Sequence, residues 1–368
     1  MRALVVAGLL SITIGHATSA RPCGALFRSE VDQNLAIDAQ RALVILRAST
    51  VEMHLQLHAA TGGADFAWII PVPGVPSLAL GDQATFEALD RMTTPEVEIV
   101  TDSGGGGGGF CGSDALKGDG GLHQDGVQHF GGGRLGDYAY DIIAGQTAEA
   151  IEGWLDLNGY TLPDDFATTV APYVNRASFV AVKLAPGTTT IVDPDPLVVT
   201  FPRPFDASLT YPLGMSRLST IGSAPVVLWV LADKRYRVAN FASAELRMVA
   251  EVMREQADRG DAVSYADAVT TLTSEAGGRL AITEYAQDLT HGTGVESAIQ
   301  ALVDGSAYYL TRLYMDVPRA DIEDLVVTFA ANAPDVAPFA TAQGEAHVPL
   351  TAACVALALL VIGRRRRP

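Results

Sequence analysis

The sequence predicts an α+β fold of mixed, mostly antiparallel sheets with packed helices. Three observations carry this. Strand-like and helix-like stretches follow one another without the regular strand–helix–strand rhythm of a parallel sheet. Two near-continuous apolar runs, 178–184 and 225–231, read as central strands covered on both faces. Between and beyond them, apolar stripes at helical spacing occupy 148–155, 246–253 and 265–276. Of the 368 residues 48% are apolar, ample material for a core.

The elements follow in order. Residues 43–48 form a first apolar strand. In VEMHLQLHA, Met53, Leu55 and Leu57 alternate with Glu52, His54, Gln56 and His58, the period of a half-buried strand. His54 and His58 then share a solvent face, but at about 3.3 Å per residue they stand roughly 13 Å apart, too far for one metal. Residues 66–70 read as a buried strand, and Pro71, Pro73 and Pro76 carry the chain out of the sheet. A short helix over 86–92 and a strand over 96–100 follow. After a glycine-rich tract, 138–144 is a strand and Thr147 caps a helix carrying Ile151, Trp154 and Leu155. A second short helix runs from Leu162-Pro163 to about Tyr173. The Pro- and Thr-rich stretch up to Arg217 predicts edge strands and turns. Ser243 reads as the cap of the helix bearing Leu246, Val249, Ala250 and Met253. A further helix at 298–303 and strands at 308–317 and 324–330 complete the body.

Both ends stand apart from it. Arg2 precedes an apolar run over 3–15, and small residues lead to Ala20, the expected last residue before signal-peptidase cleavage. At the other end residues 348–363, from Val348 to Gly363, carry no charge, and Arg364, Arg365, Arg366 and Arg367 follow directly. As a helix this run is roughly 24 Å long. That is thin for a hydrocarbon core of about 30 Å, a gap that snorkelling arginines and local thinning cover. The arginines favour the cytoplasmic side. The tail also resembles the sorting signals that proteases remove from exported bacterial proteins, so a retained anchor and a processed tail both stay open. The division expected is therefore 1–20 signal peptide, 21–100 and 137–330 as two halves of an ectodomain, 101–136 a flexible glycine-rich insertion, 331–347 an Ala/Pro tether, 348–363 a single transmembrane helix and 364–368 a cytoplasmic cluster. The cell membrane, with the ectodomain periplasmic or at the cell surface, is the expected location. Membrane lipid, signal peptidase and a C-terminal sorting protease are the expected partners.

Charge agrees with export. Five of the 25 basic residues (Arg2 and the four terminal arginines) lie in the ends, leaving 20 against 42 acidic ones in the body, a net −22. Such a surface repels nucleic acid and anionic headgroups. Of the three cysteines, Cys354 lies in the apolar tail, while Cys23 and Cys111 fall in the ectodomain. An oxidising compartment makes their pairing the simplest outcome, stabilising by up to about 4–5 kcal/mol in the chain-entropy view. Free thiols and intermolecular pairing stay open.

Little in the sequence carries chemistry. Gly131, Gly133 and Gly136 satisfy G-x-G-x-x-G, but no helix follows to face a pyrophosphate. There is no phosphate-binding loop, H-E-x-x-H or C-x-x-C, and the GMSRL around Ser216 lacks the second glycine of a nucleophile elbow. No cofactor is expected. The one residual cluster is His123, Asp125 and His129, with Asp114 and Asp119 nearby; imidazole and carboxylate there suit zinc, and carboxylates suit calcium. Ordering glycine-rich chain opposes such binding, which favours a mobile loop.

Several stretches together resemble a known family: RPCGALF, DFAWIIPVPGVP, EGWLDLNGYTLPDDF with FVAVKL, APVVLWVLAD, and YLTRLYMDVPRADIEDLVVTF. In this order they resemble the bacterial family called domain of unknown function 2330, over roughly residues 23–330. The resemblance implies an exported, often membrane-anchored protein, and supplies no activity or catalytic residues. Its motif residues are mostly apolar, Pro, Gly or Trp, with Trp68, Trp154 and Trp229 at core spacing. The expectation is a membrane-anchored extracytoplasmic binding or structural module. The alternatives are a metal-dependent enzyme using His123, Asp125 and His129, or a secreted protein whose tail is removed.

Overall fold

The computed structural model describes residues 20–21, 25–28, 39–56, 66–99, 127–136, 138–157, 165–184, 195–204, 208–220, 222–290 and 294–342. In chain order the first elements are β1 (Ala20–Arg21), β2 (Ala25–Arg28), β3 (Ala39–Leu46), β4 (Thr50–Gln56), β5 (Phe66–Val72), β6 (Ser77–Leu80), α1 (Gln83–Thr93) and β7 (Glu96–Ile99). Then come β8 (Val127–Leu135), β9 (Tyr138–Gly145), α2 (Ala148–Leu157), α3 (Phe166–Val170), β10 (Ser178–Leu184), β11 (Leu197–Pro202), β12 (Ser208–Tyr211), β13 (Ser223–Ala232) and β14 (Tyr236–Val238). The last are β15 (Ala242–Glu245), α4 (Leu246–Arg259), α5 (Tyr265–Glu275), β16 (Leu280–Asp288), α6 (Ser297–Gln300), β17 (Tyr309–Pro318), β18 (Leu325–Phe329) and β19 (Phe339–Ala342).

The architecture is a mixed α+β fold, mostly sheet, in four layers. The spine is a nine-stranded sheet ordered β15-β16-β17-β13-β3-β4-β11-β6, with β1 beside β3. A five-stranded sheet, β2-β5-β10-β9-β8, and a three-stranded one, β12-β18-β14, share a core with one of its faces. Val44, Met53, Leu228 and Met315 come from the spine, and Trp68, Val180, Tyr211 and Val327 from the smaller sheets. The outer face of the five-stranded sheet packs on α2 and α3 through Ile151, Trp154 and Phe166. The other face of the spine carries α1 and α6 over Leu43, Trp229 and Leu231, and α4 and α5 over Leu280 and Ile282. Pairing is mostly antiparallel; among the described strands β1–β3, β3–β13, β15–β16 and β7–β19 are parallel.

Local sequence explains most boundaries. The Asp82 carboxylate accepts the Ala84 amide at 2.9 Å and starts α1, and Thr94, extended ahead of Pro95, stops it. Gly260, at φ 76°, closes α4 in the left-handed region that glycine enters without strain. Ser264 Oγ accepts the Asp267 amide at 3.2 Å and opens α5.

Five expectations change. The stretch 127–135, read as the end of the flexible insertion, is strand β8, because its backbone pairs with β9 along its whole length. Within the expected 331–347 tether, β19 pairs with β7, Val336 bonds with Ala286, and Ala340 and Ala342 pack under α4, so residues up to Ala342 belong to the body. Ser243 is not a cap: residues 242–245 pair with β16, and the ladder delays α4 until Leu246. Strand β11 lies between β4 and β6, not at an edge. His54 is buried, on the face that alternation had assigned to water: its ladder partner Leu43 packs in one cluster with Phe86 and Leu89 of α1. Among the described residues no helix is long and apolar enough to cross a membrane. Residues 348–363, the arginines after them, and residues 1–19 lie outside those described.

Candidate functional site

A connected set of charged side chains sits where the spine meets α1 and α5. Strand β16 carries a bulge between Thr283 and Tyr285, with Glu284 as the inserted residue. The insertion switches faces. Ala281 packs in the core between the sheets, whereas Tyr285, four residues on, packs on the opposite side with Trp229 and Leu231. Glu284 is 1% exposed. Its Oε2 lies 2.7 Å from Arg312 Nε of β17, and its Oε1 accepts the Tyr265 hydroxyl of α5.

From Arg312 the contacts run across the sheet. Its Nη1 donates to Thr93 and Thr94 Oγ1, both at 3.3 Å, and lies 3.9 Å from Asp90. Arg41, on β3, meets the same Asp90 at 2.5 Å. Trp229, opposite Arg312 in the β13–β17 ladder, has both guanidinium carbons near its ring, at 5.2 Å for Arg312 and 5.3 Å for Arg41. Trp229 Nε1 donates to Thr93 Oγ1 at 2.9 Å, and that hydroxyl donates onward to the Leu89 carbonyl at 2.5 Å. Two cations thus face two carboxylates, and α1 and α5 are joined through one arginine.

Burial pushes the Glu284 carboxyl upward, against the lowering pull of Arg312 and of the Tyr265 hydroxyl. Burial also raises Tyr265, and the neighbouring Glu284 adds to it. A buried carboxylate costs several kcal/mol unless paired, so the Arg312 contact is a condition of this packing. Glu284 offers no open face to a solute, and the network acts as an internal clamp.

A second polar set lies on β4. Among the described residues neither ring nitrogen of His54 has a hydrogen-bond partner, and its Nε2 stands 3.8 Å from Glu52 Oε2. Glu52 Oε1 accepts Arg47 Nε at 2.9 Å. His54 and Arg47 hold the Glu52 carboxyl down to about 2.

Of the residues singled out as metal ligands, His129 is described. It lies on β8, and its Nε2 is 2.6 Å from Asp141 Oδ1 on β9, at the partly exposed edge of the five-stranded sheet, where β8 is the last strand. A zinc site takes three or four protein donors. Among the described residues no group of three His, Cys, Asp or Glu side chains converges. His123, Asp125, Cys23 and Cys111 lie outside the described residues. At Ala20 the backbone pairs with Ala39. Gly131 and Gly133 fall within β8 and Gly136 in the turn after it, and Ser216 is buried in a short 3-10 turn. Trp68, Trp154 and Trp229 are buried, as their spacing implied.

Sequence reading missed the Glu284–Arg312–Arg41 network. The signal was one charged residue inside each of three apolar strands, in AITEYA, YLTRLY and AQRALV. Only the sheet order brings them together.

A family model described as an uncharacterized protein conserved in bacteria matches residues 17–328. No curated protein and no solved structure matches.

Proposed function

This chain belongs to the bacterial family designated domain of unknown function 2330, and from that premise we propose that it is a membrane-anchored protein whose folded body lies outside the cytoplasm as a binding or structural module. The observation that carries this reading is the uncharged run from Val348 to Gly363 followed at once by four arginines. The signal-like first 20 residues and the −22 body support it. So does the burial of Glu284 and Arg312, which hold elements together inside the fold.

Fractionation of cells expressing the full chain tests it. The protein is expected in the carbonate-resistant membrane fraction with Arg21 as its first residue, and a variant ending at Ala342 is expected in the soluble exported fraction. Full-length chain in the cytosol with Met1 retained overturns the reading. A mature C-terminus ending before Val348 favours the processed, secreted form.

A second reading has one observation behind it. The Asp141 carboxylate fixes the His129 imidazole, the arrangement that orients metal-ligating histidines. In that reading His123, Asp125 and His129 hold a zinc or calcium ion for an enzyme. Metal analysis of the purified protein, with and without His123→Ala and His129→Ala, decides it: bound metal lost in the variants supports the enzyme, and metal-free wild type ends it.

A further inference from the structure

We propose that the end of the body formed by β7 and β19 stands against the headgroup surface of the membrane holding the tail. This rests on the reading of residues 348–363 as an anchor. The two strands run parallel, with Phe339 opposite Glu96 and Ala342 opposite Ile99, so both point their C-terminal ends the same way. After Ala342 only residues 343–347 precede Val348. Six Cα steps span at most about 22 Å, and the headgroup layer takes up roughly 5–8 Å of that. Ala342 therefore stands no more than about 17 Å above the headgroups, and Ile99, one strand spacing of about 4.8 Å away, stands with it.

The ladder cannot swing away to lengthen this link. Ala340 and Ala342 pack with Leu246 and Ala250 of α4, which fixes β19 to the body. The other face of the ladder carries Phe339, 51% exposed. Glu96 and Glu98 are exposed on β7, so attraction to anionic lipid does not hold this end down; the short connection does. The chain leaving Ile99 toward the glycine-rich tract starts from this same end.

The test uses the full chain in phosphatidylcholine vesicles carrying an energy-transfer acceptor on the headgroup. A donor is placed at Phe339 through Phe339→azidophenylalanine. A second protein carries the same donor and about 30 Gly/Ser residues inserted after Gln343, a spacer with a mean reach of roughly 30 Å. Both proteins are expected to float with the vesicles and to melt at the same temperature, while transfer falls at least about twofold with the spacer. Equal transfer in two floating proteins overturns the orientation and leaves anchoring intact. Failure of the spacer-free chain to float overturns the anchor, and the orientation with it.

Discussion

Two carboxylate contacts of nearly equal length, one to an arginine and one to a histidine, differ in how far water reaches them. Glu284 and Arg312 meet at 2.7 Å inside the spine, where the glutamate is 1% exposed. Asp141 and His129 meet at 2.6 Å near the free edge of the five-stranded sheet, with side chains 25% and 30% exposed. Distance does not separate them; surroundings do. Losing one partner in the spine strands a charge away from water, whereas losing one on the open strand lets water take its place.

The largest effect expected follows directly. Arg312→Met should destabilise by about 3–5 kcal/mol, because it leaves Glu284 buried without its cation. In denaturant melts the double variant Glu284→Leu/Arg312→Met should recover most of that loss. A double variant as unstable as the sum of the singles would show that packing, not charge, holds this region.

Next comes the C-terminal ladder. A chain ending at Ala330 loses Val336, Ala340 and Ala342 from beneath α4 and should be less stable than one ending at Ala342 by about 2–4 kcal/mol. Hydrogen exchange should show α4 deprotected in the shorter chain. Equal melting temperatures would return 331–342 to the status of a tether.

Acid sensitivity lies between the extremes. The folded Glu52 carboxyl titrates near 2, below its ordinary 4.5, so its contribution is full above about 4.5 and is lost as pH falls toward 2. Glu52→Gln should therefore narrow its deficit against wild type between pH 5 and pH 2. A constant gap in melting temperature across that range would contradict the pairing with His54 and Arg47. The smallest change is expected at the open pair, where His129→Ala should alter stability by no more than about 1 kcal/mol.

The same contrast explains what the sequence made legible. Core strands announced themselves, since runs such as PVVLWVL are apolar over a full strand length, and α2 followed from stripe and cap and α5 from its stripe. The family was readable from ordered motifs whose residues pack the core. Strand β8 was not readable: Gly131, Gly132 and Gly133 have no side chains to alternate, and only pairing with β9 defines it. Nor was β19, a short Ala-rich stretch whose partner lies some 240 residues earlier, from Glu96 to Ile99. His54 misled because alternation reports which residues share a face, not what covers that face. The Glu284 network needed both sheet order and a bulge that no local pattern encodes.

That bulge makes residue 284 separable from the strand that carries it. Thr283 stands opposite Leu313 and Tyr285 opposite Arg312, neighbouring positions on β17, so a chain without residue 284 would close into an unbroken ladder with Tyr285 to Asp288 on their present sides. What such a shortening removes is the carboxylate itself, the shared partner of Arg312 and the Tyr265 hydroxyl. The extra residue thus serves the contact between strand and helix, and the register of the spine does not depend on it.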